Sequence, residues 1–166
     1  MKQFLPVTGA FIFLMLSGFG AASFAQNPET ARQSHFRLGK NNLAIDGYDP
    51  VSYYQDGPKK GSSRIAYTYN GIVYRFATVA NMETFKADPA RYEPAWGGWC
   101  GHAMAVRGDK VTINPLTYKI VNGRNFLFYN KGKANALVNW EKELTKTPEN
   151  RLVEQGDTYW QNILTH

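Results

Sequence analysis

The stretch Arg64–Ala77, RIAYTYNGIVYRFA, alternates side-chain character on either side of Asn70-Gly71. Alternation with period two is the mark of a strand that buries one face. Asn-Gly is the pair that best tolerates the two positive φ angles of a type I′ turn, so the stretch predicts a β-hairpin. Downstream, Thr78 stands as an N-cap for a helix through Val79–Asp88, with Val79, Met82 and Phe85 at helical spacing and Pro89 limiting its continuation. Upstream, Asp49-Pro50 pairs a capping residue with a first-turn proline, and Gly57 stops the short helical turn that results.

Further along, Lys110–Ile113 (KVTI) and Thr117–Asn130 (TYKIVNGRNFLFYN) read as strands, with Asn122-Gly123 marking a second tight hairpin. Ala134, Leu137, Trp140 and Leu144 then recur at spacings of three and four, and Thr147-Pro148 opens a last helix carrying Leu152, Tyr159, Trp160 and Ile163. The expected fold class is α+β: a small antiparallel sheet built from hairpins, packed with a short central helix and two C-terminal helices. The residues show no internal repeat.

The N-terminus reads MKQFLPVTGAFIFLMLSGFGAASFAQ, with Lys2 ahead of an apolar run and Ser23-Phe24-Ala25 at its end. That is the pattern of a secretory signal peptide, residues 1–25, and it is too short for the ~20 apolar residues of a membrane span. The expected product is periplasmic or secreted, and soluble after cleavage. Residues 26–40 are polar and without period, a leader lying on or off the domain, in which His35 is expected to be solvated. Residues 41–166 form one domain.

The chain carries 19 Lys+Arg against 13 Asp+Glu over 166 residues, a net charge of +6. The basic residues are scattered rather than gathered into a patch, which argues against nucleic acid as a partner. One cysteine excludes an internal disulfide, so stability must come from packing, with a large aromatic complement to supply it.

Three phrases, AIDGYDPVSYY, YNGIVYRFATVANMETFKADPARYEPAWGGWC and NPLTYKIVNGRNFLFYN, together resemble a YHS domain-containing protein of the exported bacterial type. The resemblance runs from about Asn42 to Trp160. Smaller relatives in that family are associated with heavy-metal binding through cysteines whose positions fall here on Ser52, Ala77 and Asn81. A hydroxyl, a methyl and an amide cannot replace converging thiolates, so the resemblance does not carry that metal site to this chain. Some relatives carry selenocysteine at the position matching Cys100, which implies redox or soft-metal chemistry there.

Cys100 lies in Pro94–Met104, PAWGGWCGHAM, and three readings of it stand side by side. Cys100, His102 and Met104 offer thiolate, imidazole and thioether, a set suited to copper or another soft metal ion. They share a face in an extended segment, whereas a helix turns His102 about 200° from Cys100. The composition of CGHAMAV, fed by Gly97-Gly98, favours helix. In the second reading Cys100 is the catalytic nucleophile of a thiol-dependent redox protein, activated at a helix start and exchanging with a partner protein or small thiol. In the third it is a small buried apolar residue, and the protein is a partner-docking module.

A papain-like reading fails because the histidine far downstream would have to be the terminal His166. The carboxylates of Asp49 and Asp88 are expected as caps, and those of Asp46, Asp56, Glu83 and Glu93 as solvated.

Overall fold

Asn70 and Gly71 both take positive φ, 45° and 76°, and join β1 (Ser62–Tyr69) antiparallel to β2 (Ile72–Phe76). The computed structural model describes residues 28–165; the expected signal segment 1–25 and His166 lie outside the described residues. Alternation in β2 sends Ile72, Tyr74 and Phe76 into the core. Thr78 caps α2 (Val79–Ala87), its Oγ1 accepting the Asn81 N–H at 3.1 Å. The cap fixes where α2 starts, and so which residue it drops onto the sheet. That residue is Phe85, whose ring centroid lies 4.7 Å from Tyr74 and 5.3 Å from Phe76. Asp88 then caps the short α3 (Pro89–Tyr92).

The second hairpin repeats the first. β3 (Asn114–Val121) pairs with β4 (Arg124–Phe128) across Asn122 and Gly123, φ 50° and 76°, and in both hairpins an eight-residue strand with an irregularity in its first half meets a five-residue one. Here α5 (Ala136–Glu143) presents Trp140, 5.9 Å from Phe126 and 5.6 Å from Phe128. Hairpin, helix and ring-on-two-rings packing thus occur twice without any repeat in the sequence. What recurs is backbone geometry and aromatic volume, while residue identity changes (Tyr74 to Phe126, Phe85 to Trp140). A small extra hairpin, β5 (Asn130–Lys131) with β6 (Ala134–Asn135), lengthens the second connection.

The fold class is α+β as expected, with the sheet realised as three two-stranded antiparallel pieces. Lys110–Ile113 is not a strand. Its backbone instead serves the neighbouring chain, the Val111 carbonyl accepting the Cys100 N–H at 2.9 Å, and β3 begins at Asn114. Ala134 belongs to β6 rather than the helix, because Asn135 Oδ1 accepts the Leu137 N–H at 3.0 Å and starts α5 there.

Asp49 is fully buried and does more than cap a turn. Its Oδ1 accepts the N–H groups of Val51 (2.9 Å) and Ser52 (3.4 Å), and its Oδ2 accepts the Ala77 N–H (2.9 Å) and Asn81 Nδ2 (2.6 Å). The Ser52 hydroxyl donates to the Asp49 carbonyl at 2.7 Å. A carboxylate can leave water only when such donors replace its hydration. Ser52, Ala77 and Asn81, far apart in sequence, meet around this one group.

Residues of the polar leader form α1 (Pro28–His35), which lies on the domain: Phe36 meets the edge of Trp160 at 5.8 Å, and the Arg37 N–H donates to the Gly97 carbonyl at 2.8 Å. His35 is partly covered rather than solvated, its Nδ1 3.2 Å from Lys110 Nζ. α6 (Glu149–Thr165) buries Leu152, Val153, Gly156 and Trp160 against the rest. Among the described residues no helix is long and apolar enough to cross a membrane.

Gly156 is the point of closest approach in that packing. A Cβ there would sit 2.3 Å from the Trp96 ring, which is held by its own hydrogen bond to Asp157. Alanine gains about 1 kcal/mol in helix propensity, but overpacking against a pinned ring costs about 1–3 kcal/mol. Gly156→Ala is therefore expected to lower the urea midpoint; an unchanged or raised midpoint would show that the ring yields.

Candidate functional site

Cys100 is the N-terminal cap of α4 (Gly101–Arg107), the helix favoured by the composition. Its residue is 1% exposed, and the sulfur receives the Tyr129 N–H at 3.4 Å. A parallel bridge to Leu127 and the bond to Val111 fix its backbone from two sides. Met104, one turn on and bonded through its N–H to the Cys100 carbonyl, is fully buried. His102 points elsewhere, with Nε2 3.9 Å from Glu143 Oε1 on α5. The structure therefore brings Cys100 and Met104 to one buried side and turns His102 away, the helical outcome in which the three-ligand set is split. Among the described residues no group of three His, Cys, Asp or Glu is placed to hold a metal ion.

Burial lowers the His102 pKa; Glu143 pulls it back up and Arg107 adds to the depression, leaving the net shift downward. The stability that follows is fully present above the ordinary value of 6.5 and is lost as pH falls through the lowered one. Titrating the imidazole by NMR should give a midpoint below 6.5. His102→Gln should shed part of the stability lost on acidification, and a midpoint at or above 6.5 would refute the assignment.

The glycine pair ahead of Cys100 has a different use. Trp96, Gly97 and Gly98 all take positive φ, 52°, 61° and 81°, so a bulky residue occupies the left-handed region that disfavours it. Holding tryptophan there costs about 1–3 kcal/mol. The compensation is visible around the ring: Nε1 donates to Asp157 Oδ1 at 2.8 Å, and the ring meets Phe126 at 4.8 Å. Gly97 admits no side chain, since a Cβ would lie 2.8 Å from Trp160 and 3.0 Å from Phe36. Trp99 then points back, Nε1 donating to the His35 carbonyl at 2.7 Å.

Beside this turn opens a cleft of about 520 Å³, where α1, α3, the second hairpin turn and α6 converge. Its lining includes Arg32, Arg91, Arg124 and Glu93, over a floor in which Trp96 and Trp160 are largely buried. The volume is in the range of small-molecule sites. A hollow of about 550 Å³ between α4 and α6 is slightly larger but shallower, with Arg107 its one charged group. Size favours neither, and the convergence of charged and aromatic groups favours the first.

Two of the three arginines are locked in place. Arg124 forks onto Asp157 through both terminal nitrogens at 2.8 and 2.9 Å, and lies 5.2 Å over the Phe126 ring. Burial alone would raise the Asp157 carboxyl, but the hydrogen bonds from Arg124 and Trp96 and the guanidinium charge outweigh it and hold it below the usual range. Arg32 donates to Glu93 at 2.5 Å and covers the Phe36 ring at 4.5 Å. Glu93 also accepts the Tyr74 hydroxyl. It is not the solvated carboxylate expected from sequence: its side chain is 13% exposed, and burial raises its pKa against the opposing hydrogen bonds of Tyr74 and Arg32. Burial, with Glu93 beside it, pushes the Tyr74 phenol well above its usual range.

Comparison with family models, with curated proteins and with solved structures finds no match for the chain. No local pattern in the sequence marks Arg32, Arg124 or Asp157, and Glu93 reads there as solvated. The one available signal was Trp96 directly before Gly97-Gly98, a large ring joined to two residues that permit left-handed backbone.

Proposed function

We propose that this chain is an exported binding module of the YHS type that receives a small molecule in the cleft beside Trp96, with Cys100 as a structural core residue. The observation that carries the reading is the strained Trp96–Gly97–Gly98 turn, next to a cleft lined from four separate segments of the chain. Backbone strain of this kind concentrates at ligand sites, where the surrounding structure over-determines it. The burial of Cys100 favours this reading over the soft-metal and thiol-redox ones, since both need the sulfur to be reached by an ion or a partner.

A fragment screen followed by 15N NMR tests the cleft. Ligands are expected to shift the Trp96 and Trp160 indole N–H signals ahead of the Trp140 signal, which comes from the core between α5 and the second hairpin. A library of several hundred fragments with no such hit would overturn the binding reading.

Cys100 gives a separate prediction. Iodoacetamide should leave the folded protein unmodified and alkylate it after addition of denaturant. Cu(I) titration should give the same isotherm for the wild type and Cys100→Ser. A stoichiometric complex lost in that variant would restore the metal reading, and rapid alkylation of the folded protein would restore the redox one.

A further inference from the structure

We infer that the segment from Pro28 to Arg37 is a detachable strap: it leaves the domain as one unit while the rest stays folded, with the Arg32–Glu93 pair as its latch and the cleft beside Trp96 widened by its departure. The inference goes beyond the proposed binding and holds whatever the cleft receives. Burial comes first. From Glu29 to Leu43 no residue is buried, and burial begins at Ala44 and Ile45. By contrast α6, which packs against α1, buries Leu152, Val153, Gly156 and Trp160. A segment with few buried apolar contacts opens at a fraction of the free energy of global unfolding.

What holds the strap is mainly polar. Arg32 donates to Glu93, Gln33 Nε2 donates to the Gly71 carbonyl at 2.9 Å, and Arg37 forks onto Asp46 at 3.0 and 3.2 Å. Further polar ties join His35 and Arg37 to Trp99, Gly97, Thr112 and Lys110. Such bonds replace bonds to water, so each returns little net stability. Arg32 returns less still, because its Nε is covered and bonds to nothing among the described residues. The large apolar contact is Phe36, against Trp160 and Gly97. Behind the strap, Gly39 to Asn42 are exposed throughout, so it can swing without drawing a buried residue out of the core. Its departure uncovers the Trp160 ring, the Gly97 carbonyl and the Glu93–Tyr74 pair, which Phe36, Arg37 and Arg32 now cover.

Native-state hydrogen exchange, read by NMR on the full mature chain without ligand, tests the strap. The reporters are the Phe36 and Arg37 amides, bonded to the Arg32 and Gly97 carbonyls. The references are the amides of buried Ala44 and Met104, bonded to the Val73 and Cys100 carbonyls. The reporters are expected to be protected, yet roughly a hundredfold or more below the references, at rates that barely rise with low denaturant. Arg32→Gln keeps helix propensity and should cut reporter protection about tenfold, the worth of a bond between charged groups, while the references hold. Reporters matching the references in rate and denaturant slope overturn the detachable strap, and unprotected reporters overturn its docking. No change in Arg32→Gln, an equal loss at all four amides, or failure of the variant to fold overturns the latch. None of these outcomes touches the binding reading, which a silent fragment screen overturns while the strap stands.

Discussion

A tryptophan held in left-handed backbone is the constraint around which the molecule closes. Trp96 adopts that conformation because its ring is fastened at both ends, by Asp157 on α6 and by Phe126 on β4, and because Gly97 and Gly98 continue the turn without a clash. Its ring touches the position where Gly156 lacks a side chain, so α6 docks as closely as it does only through that residue. The carbonyl of Gly97 receives the leader through Arg37, and the residues that follow the turn deliver Cys100 to its place at the start of α4. One strained turn thereby sets the position of α1, α4 and α6 relative to the second hairpin. The cleft is the space left over when those elements meet there.

Two positions that chemistry would single out act here as struts. Cys100 is a joint, bonded through its backbone to Val111 and bridged to Leu127, with its sulfur facing the Tyr129 amide. Asp49 is a second joint, gathering donors from the turn before β1, the end of β2 and α2. The positions at which the YHS resemblance would set thiol ligands, Ser52, Ala77 and Asn81, lie around that carboxylate. Their hydrogen bonds tie the turn before β1, the end of β2 and α2 together. A buried carboxylate with four donors is a demanding joint, since the loss of one donor leaves charge without hydration or partner.

The two similar hairpin packings show where residue type stops being informative. Both Asn-Gly turns, both hairpins and both following helices were legible singly, because turn chemistry, alternation and helical spacing act over a few residues. Their equivalence was not, because Phe85 and Trp140, or Tyr74 and Phe126, match in what they fill and not in what they are. Lys110–Ile113 shows the opposite error. Its pattern suits a strand, yet its carbonyl is taken by Cys100, so its hydrogen bonds go to a joint and not to a ladder. Of the candidate cleft, the stretch Pro94–Met104 supplies only Pro94, Ala95, Trp96 and Gly97, and the rest of the lining comes from segments distant in sequence.

The sequence by itself determined the local elements: two hairpins from Asn70-Gly71 and Asn122-Gly123, caps at Thr78 and Asp88, and a helix rather than a strand after Cys100. Each depends on a φ preference or a capping hydrogen bond within four residues, and those energies are written in the residues themselves. Tertiary structure alone decided the burial of Glu93 and Cys100, the turning of His102 away toward Glu143, and the meeting of Arg32, Arg91 and Arg124 at one cleft. Those outcomes depend on which surfaces lose water when distant segments pack, and desolvation is a property of the assembled chain.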